Sequence, residues 1–300
     1  MTISSAGPAR VALCLAAIAL VAVGCTFTDL HVARETRSET HAAKQPPSTL
    51  TVVGQNGDIT VEPDVAVKNI TVTAKLAAGG KTMEEAKTRL KAAKINVTES
   101  SSGEVSITAT WPLPASSGDH VYFTIRLPQL KGFNGQTTNG GVTVTGAEGP
   151  VTIKTSNDDV NVFGCKQAAN ITSSNGDIQV QDHVGDVTIV TSNGNVDLGN
   201  LMGGTSIQTS NGLVTINLNE KSSAPVQATT SNDNINLTCG PAWNGVIKAQ
   251  TSNDSIHITG ADGRITSQSI SDSSGSLTVG SGGEVSRLIT SNDGISITVN

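Results

Sequence analysis

Residues 171–198 decide the fold: Ile-Thr-Ser-Ser-Asn-Gly-Asp-Ile-Gln-Val-Gln-Asp-His-Val-Gly-Asp-Val-Thr-Ile-Val-Thr-Ser-Asn-Gly-Asn-Val-Asp-Leu. This stretch contains two copies of one pattern, a polar Ser-Asn-Gly turn flanked by short segments in which aliphatic and polar residues alternate. Alternation with a period of two is typical of β-strands that bury one face. Each copy therefore predicts two short strands joined at the asparagine.

The same turn recurs along most of the chain. Its asparagine stands at Asn139, Asn157, Asn175, Asn193, Asn211, Asn232, Asn253 and Asn292, and Ser274 occupies one further slot. Neighbouring slots are 18 or 21 residues apart. A fixed period of this length indicates a repeat protein in which each repeat covers the apolar face of the next.

We therefore predict an all-β fold, a parallel β-solenoid (β-helix) with rungs of 18–21 residues, right-handed by the usual crossover preference. The strand parity places the asparagine side chains toward the core, where they can stack as a hydrogen-bonded ladder. Aliphatic burial, at roughly 1.5–3 kcal/mol per side chain, outweighs a ladder bond of about 1 kcal/mol. Asn-Gly is also a strong hairpin signal, so an antiparallel array remains the alternative.

The N-terminus has the features of an export signal. Arg10 precedes an apolar run over residues 11–23, which is short for a membrane span and ends at small residues. The ending Ala22-Val23-Gly24-Cys25 resembles a bacterial lipobox, which implies a signal peptide over residues 1–24 and lipidation of Cys25. An ordinary secretory signal is the alternative. By the same resemblance, Thr26 favours the outer membrane in a diderm host.

The rest of the chain divides into three parts. Residues 25–48 are polar and charged, which predicts a lipidated flexible tether. Residues 49–132 hold a first rung around Asn56 and an inserted α+β cap, with a helix at about 82–94 that presents Met83, Ala86, Leu90 and Ala93 on one face. Residues 133–300 form the repeat solenoid. The chain ends within a strand, which predicts an unpaired edge open to self-association.

Composition argues against several kinds of function. Aromatic residues make up 2% of the chain and the net charge is −6, so neither an aromatic-lined pocket nor a nucleic-acid surface is expected. No cofactor or metal is expected, because the five histidines lack ligand spacing and are predicted to be solvated. The pairs Asp233/Asp254 and Asp159/Asp177 could share calcium on consecutive rungs, but turn formation explains them better.

Two cysteines remain in the body of the chain. Cys165 and Cys239 fall four rungs apart, at roughly 19 Å along the axis, whereas a disulfide needs Cα atoms within about 7 Å. We therefore expect no bridge between them and predict that both are buried small apolar residues.

The Ser-Asn-Gly repeats, the opening Gln55-Asn56-Gly57-Asp58-Ile59 and the inserted helix together resemble the bacterial putative-adhesin family of β-strand-repeat envelope proteins. The resemblance covers residues 50–300 and implies a surface module without defined catalytic residues. We expect a non-catalytic lipoprotein of the cell envelope that contacts the membrane through its lipid and a polysaccharide or envelope protein through its body. The alternatives are a polysaccharide-acting β-helix enzyme and an envelope-stress or assembly accessory protein.

Overall fold

The structure is a computed structural model that describes residues 31–42 and 46–300. The signal peptide and Cys25 predicted from the sequence lie outside these residues. In chain order the elements are β1 (His31–His41), β2 (Thr49–Val53), β3 (Ile59–Pro63), β4 (Ile70–Gly80), α1 (Met83–Ala92), β5 (Lys94–Glu99), β6 (Glu104–Thr110), β7 (His120–Leu127), β8 (Phe133–Gln136), β9 (Val142–Thr145), β10 (Val151–Lys154), β11 (Val160–Phe163), β12 (Ala169–Thr172), β13 (Ile178–Gln181), β14 (Val187–Val190), β15 (Val196–Leu201), β16 (Thr205–Gln208), β17 (Val214–Leu218), β18 (Val226–Thr229), β19 (Ile235–Cys239), β20 (Gly245–Gln250), β21 (Ile256–Gly260), β22 (Ile265–Ile270), β23 (Ser274–Val279), β24 (Val285–Ile289) and β25 (Ile295–Val299).

Two long sheets form the body of the molecule. Sheet A has 12 strands in the order β1-β4-β7-β3-β9-β11-β13-β15-β17-β19-β25-β21. Sheet B has 13 strands in the order β22-β23-β20-β24-β18-β16-β14-β12-β10-β8-β2-β6-β5. Each rung contributes one strand to sheet B, turns at its asparagine, contributes one strand to sheet A, and returns along a variable third side.

The strands beside the asparagines are parallel and stack like on like. Ile171 on β12 pairs with Ile189 on β14, and Ile178 on β13 pairs with Val196 on β15. All four side chains are buried, because successive inward positions fall on one face of each short strand. This confirms the parallel β-solenoid and excludes the antiparallel array for these rungs.

The N-terminal end is closed by the predicted cap. Strands β6 and β7 form a rung outside the first one, since β6 pairs with β2 and β7 with β3, both parallel. Strand β4 then adds to β7 and β5 to β6, both antiparallel, so the sheets end in a different geometry. Helix α1 begins after Thr82, whose Oγ1 accepts a hydrogen bond from the Glu85 amide at 3.1 Å. Its Ala86 and Leu90 are buried, whereas Met83 is exposed, contrary to the predicted apolar face.

Residues 31–41 form strand β1, where the sequence predicted a flexible tether. This strand pairs antiparallel with β4 along its whole length and forms one edge of sheet A. The sequence of β1 shows no apolar alternation, and Ala33 is the one residue of this strand that is buried. Its Arg37 donates hydrogen bonds to the carbonyl oxygens of Leu90 and Ala93, at 2.7 and 2.5 Å, and so caps the C-terminal end of α1.

The C-terminal end departs from sequence order. Strand β24 lies between β18 and β20, and β25 lies between β19 and β21. The last strand of the chain is therefore paired on both sides, and the predicted unpaired edge at the C-terminus was wrong. Strands β21 and β22 are the outermost strands at this end.

The slot occupied by Ser274 is a hairpin and not a rung. Strands β22 and β23 pair antiparallel, and Ile270, which stands at an aliphatic position of the repeat, is 45% exposed. The Ser274 side chain bonds locally, with its Oγ 2.9 Å from the Oγ of Ser271. Ser274 thus bonds within its own hairpin and not to an asparagine of the ladder.

Candidate functional site

The recurring asparagines form one continuous hydrogen-bonded ladder on the protein surface. Each Nδ2 donates to the Oδ1 of the preceding rung, and the bonds between Asn139, Asn157, Asn175, Asn193 and Asn211 are 2.7–2.9 Å long. The ladder continues through Asn232, Asn292 and Asn253, and it includes Asn56 at its start. Asn292 therefore lies between Asn232 and Asn253, which follows from the strand order.

The ladder is exposed, so the inward orientation predicted for its side chains was wrong. The inward polar position lies two residues earlier, in a column of buried hydroxyls formed by Thr137, Thr155, Ser173, Thr191, Thr209, Thr230, Thr251 and Thr290. Several of these hydroxyls donate to a backbone carbonyl oxygen in a turn. Thr155 donates to Gly140 and Thr290 to Asp233, each at 3.0 Å. The recurrence of Ser or Thr at this slot was the signal that could have revealed the column.

In five rungs, those of Asn56, Asn157, Asn175, Asn193 and Asn211, the residue after the asparagine has a left-handed backbone conformation. Gly176, Gly194 and Gly212 have φ values of 115°, 137° and 155°. Asp158 occupies the same slot with φ 117°, a conformation that is unfavourable for a residue with a Cβ. A Cβ on Gly176 would lie 2.2 Å from the Asp158 carbonyl oxygen, so most rungs need glycine here.

The carboxylates of Asp159 and Asp177, beside the ladder, accept hydrogen bonds from backbone amides of the neighbouring rung. The Oδ1 of Asp159 accepts from the Asp177 amide and that of Asp177 from the Asn195 amide, both at 2.8 Å. Asp233 and Asp254 do not lie on consecutive rungs, because the rung of Asn292 separates them. Within residues 31–42 and 46–300, no group of three or more potential ligands is placed to hold a metal ion.

The ladder is joined to the cap at its first residue. The Nδ2 of Asn56 donates to the backbone oxygen of Asp119 at 3.0 Å. The Asp119 carboxylate forms a 2.5 Å ion pair with Arg89 of α1, and both side chains are largely buried. It also accepts a hydrogen bond from the Ser116 amide at 2.9 Å. The helix, the loop before β7 and the first rung are thus fixed to one another through Asp119.

The third side of the solenoid contributes a second inward column. Ala147, Cys165, His183 and Leu201 occupy equivalent positions on successive rungs, and all are buried. The prediction that His183 is solvated was wrong, since its ring is fully enclosed. Burial lowers the pKa of His183, and the nearby backbone groups of Gln167 and Asp186 partly oppose this shift.

Both cysteines of the body are buried, as predicted. Cys165 lies just after β11 and Cys239 ends β19, and these two strands lie four positions apart in sheet A. Burial raises the pKa of the Cys165 thiol, and it raises that of Cys239 to about 12 against the opposing charge of Arg264. Both thiols are therefore held in the protonated, unreactive form at neutral pH.

The outer faces of the sheets carry long rows of polar side chains. One row crosses sheet A through Ser38, Thr73, Thr124, Thr60, Thr143, Asn161, Gln179, Asp197, Thr215, Asn236, Ser296 and His257. A matching row crosses sheet B through Thr98, Ser106, Thr51, Asn134, Thr152, Asn170, Thr188, Ser206, Gln227, Arg287, Lys248, Ser276 and Ser269. Neither row places two carboxylates side by side. Chemically, both rows offer repeated hydrogen-bond donors and acceptors on a stiff support.

A family model described as Toastrack DUF4097 matches residues 35–298. The chain belongs to this family. Strand β1, most of which falls within the match, is thus part of the Toastrack fold in this chain. No curated protein matches the sequence.

Solved structures that align with this chain along most of its length have low sequence identity to it. A putative adhesin from Bacteroides fragilis is 12% identical, with a TM-score of 0.44 over 89% of this chain and 97% of its own. A putative lipid binding protein from Parabacteroides distasonis is also 12% identical, with a TM-score of 0.44 over 88% of this chain and 96% of its own. Among the described residues, no helix has the length and apolar character needed to span a bilayer.

Proposed function

We propose that this Toastrack protein is a non-catalytic module of the cell envelope that is anchored by a lipid on Cys25 and displays its polar sheet faces to a polysaccharide or an envelope protein. The observation that carries the proposal is the pair of polar rows on the outer faces. At the usual strand spacing, 12 strands extend over roughly 50 Å, which is long enough for many weak contacts in parallel.

The chemistry of the rows supports binding over catalysis. Hydroxyl and amide groups make short, neutral hydrogen bonds with sugar hydroxyls or with exposed peptide groups. Glycoside cleavage needs two carboxylates facing each other across the scissile bond, and the two rows hold one carboxylate between them, Asp197. The rows are also rigid, since every side chain except those on the edge strands β1, β5, β21 and β22 stands on a strand that is hydrogen-bonded on both sides.

The binding test uses the purified full chain in detergent on an array of bacterial polysaccharides, together with an assay for released reducing or unsaturated sugar ends. We expect binding of at least one polysaccharide without release of ends. A variant with Thr143→Glu and Thr215→Glu on the sheet A row and Thr152→Glu and Thr188→Glu on the sheet B row should lose that binding. Release of sugar ends would overturn the proposal in favour of the enzyme alternative.

The anchoring part of the proposal has its own test. Cells grown with a labelled fatty acid should incorporate the label into the chain, and Cys25→Ser should remove it and release the protein from the membrane fraction. Cys14→Ser provides the control, because Cys14 lies within the predicted signal and should not affect labelling. Equal labelling of the chain with Cys25→Ser would contradict lipidation at this residue.

A further inference from the structure

We infer that the C-terminal part of sheet B holds a binding site for an acidic polysaccharide, with Lys248 and Arg287 as its anion-binding groups. The inference rests on the proposed function and names the class of ligand for one part of the polar face. It begins from the charges of the sheet B row. Of the 13 side chains in that row, Arg287 and Lys248 are the two that carry a charge.

The strand order of the C-terminal end creates this pair. Because β24 inserts between β18 and β20, Arg287 becomes the register partner of Lys248 on the adjacent strand. Side chains opposite each other on adjacent strands stand about 5 Å apart at Cβ, and like charges in such positions destabilise a sheet. The repulsion between Lys248 and Arg287 lowers the stability of the folded sheet, so the stability of the fold does not explain why both positions carry a cation.

No acidic side chain relieves this repulsion. Both Lys248 and Arg287 are exposed, and neither takes part in an ion pair within the described part of the chain. The neighbour of Arg287 on β18 is Gln227, whose amide donates to the Val285 carbonyl oxygen at 2.9 Å and carries no charge. The pair is therefore available to an anion from solution, although the net charge of the chain is −6.

The surface around the pair is concave. A cavity of about 320 Å³ is lined by Lys248, Arg287, Gln250, Ser269, Ser274 and Ser276, together with small and apolar groups. Within the described residues, no carboxylate lines it. The hairpin of β22 and β23 forms one side of this cavity, since Ser276 pairs with Lys248 and Ser269 with Ser276.

The lining groups define the ligand. Ammonium and guanidinium groups bind carboxylate or sulfate oxygens, and Arg287 can do so through two parallel bonds. The serine hydroxyls and the Gln250 amide suit the hydroxyls of a sugar ring. The cavity is at the small end of ligand pockets and accommodates a single acidic sugar unit, while the rest of a polysaccharide continues along the neutral row of sheet B.

The experiment measures binding of the purified full chain to polygalacturonate, which carries carboxylates, to dextran sulfate and to neutral dextran by calorimetry. We expect at least one of the two acidic polymers to bind more tightly than neutral dextran. The double variant Lys248→Gln with Arg287→Gln should weaken that binding about tenfold, the combined effect of two exposed charge contacts, and should reduce its salt dependence. The matched control is Lys154→Gln, a single cation on the same face with uncharged row neighbours, which should leave affinity within about twofold.

The remaining outcomes separate this site from the proposed function. Equal affinity of the wild type and the double variant for an acidic polymer would overturn the site and leave the proposed function standing. Absence of binding to every polysaccharide would overturn both the site and the polysaccharide part of the proposed function. Binding of the full chain to vesicles of anionic phospholipid is measured in the same way. Tighter binding to vesicles than to either acidic polymer, lost in the double variant, would overturn the polysaccharide assignment in favour of a membrane surface.

Discussion

Replacing Asn193 by alanine tests the contribution of the ladder to stability. The Asn193 side chain donates to the Oδ1 of Asn175 at 2.9 Å and accepts from the Nδ2 of Asn211 at 2.8 Å. Each exposed bond contributes about 1 kcal/mol net, and water can rehydrate the two freed groups, so we expect a loss of about 2 kcal/mol in the free energy of unfolding. The rung itself should persist, because its aliphatic side chains remain buried.

Two further variants set the scale for this measurement. Ile189→Ala removes a fully buried side chain and should cost about 3–4 kcal/mol. Asn170→Ala removes an exposed asparagine on β12 whose side chain forms no hydrogen bond with any described residue, and it should change stability by less than about 0.5 kcal/mol. Urea unfolding followed by circular dichroism gives all three values. A loss for Asn193→Ala equal to that of Asn170→Ala, or larger than that of Ile189→Ala, would refute the reasoning about the ladder.

Three other predictions follow from local features. Asp158→Gly should stabilise the protein by about 1 kcal/mol, because glycine adopts the observed φ of 117° without strain; a lower urea midpoint would contradict this. The buried His183 has a lowered pKa in the folded state, so the unfolded state binds its proton first as the pH falls below about 6.5, and the protein should lose stability there. His183→Leu, which copies Leu201 on the next rung, should remove this part of the difference between urea midpoints at pH 7.5 and 5.5; an unchanged difference would argue against a neutral buried ring. Iodoacetamide at pH 8 should modify Cys165 and Cys239 only after unfolding, as mass spectrometry of their peptides would show, and rapid labelling of the folded protein would contradict their burial.

The repeat pattern was sufficient to predict the rung. Alternating aliphatic residues on both sides of each asparagine specify two short strands, and a constant period favours like strands in parallel pairs. The outward direction of the asparagines was not predicted, because the inward positions were counted along a straight strand and the turn at the asparagine was not included.

The order of the rungs could not be predicted from the same pattern. The apolar positions of β25 match those of the other repeat strands in sheet A. The asparagines do not decide the order either, because Asn232 and Asn253 could bond to each other directly as readily as each bonds to Asn292. Neighbour choice at the ends therefore depends on connections and on the hairpin at Ser274. Two further errors have local causes: β1 has backbone pairing as its main contact, and His183 lies on the third side, where the residue type at the equivalent position differs from rung to rung.

The insertion of the last rung between two earlier ones has a consequence for biogenesis. During synthesis, residues 245–260 leave the ribosome before residues 285–299, although the later segment separates them from β18 and β19 in the finished molecule. If β20 docked directly onto β18, it would have to detach again to admit β24. The growing chain therefore cannot complete this end by simple addition of coils in the order of translation. This end of the stack can be completed only once β24 and β25 are available to enter between the earlier strands.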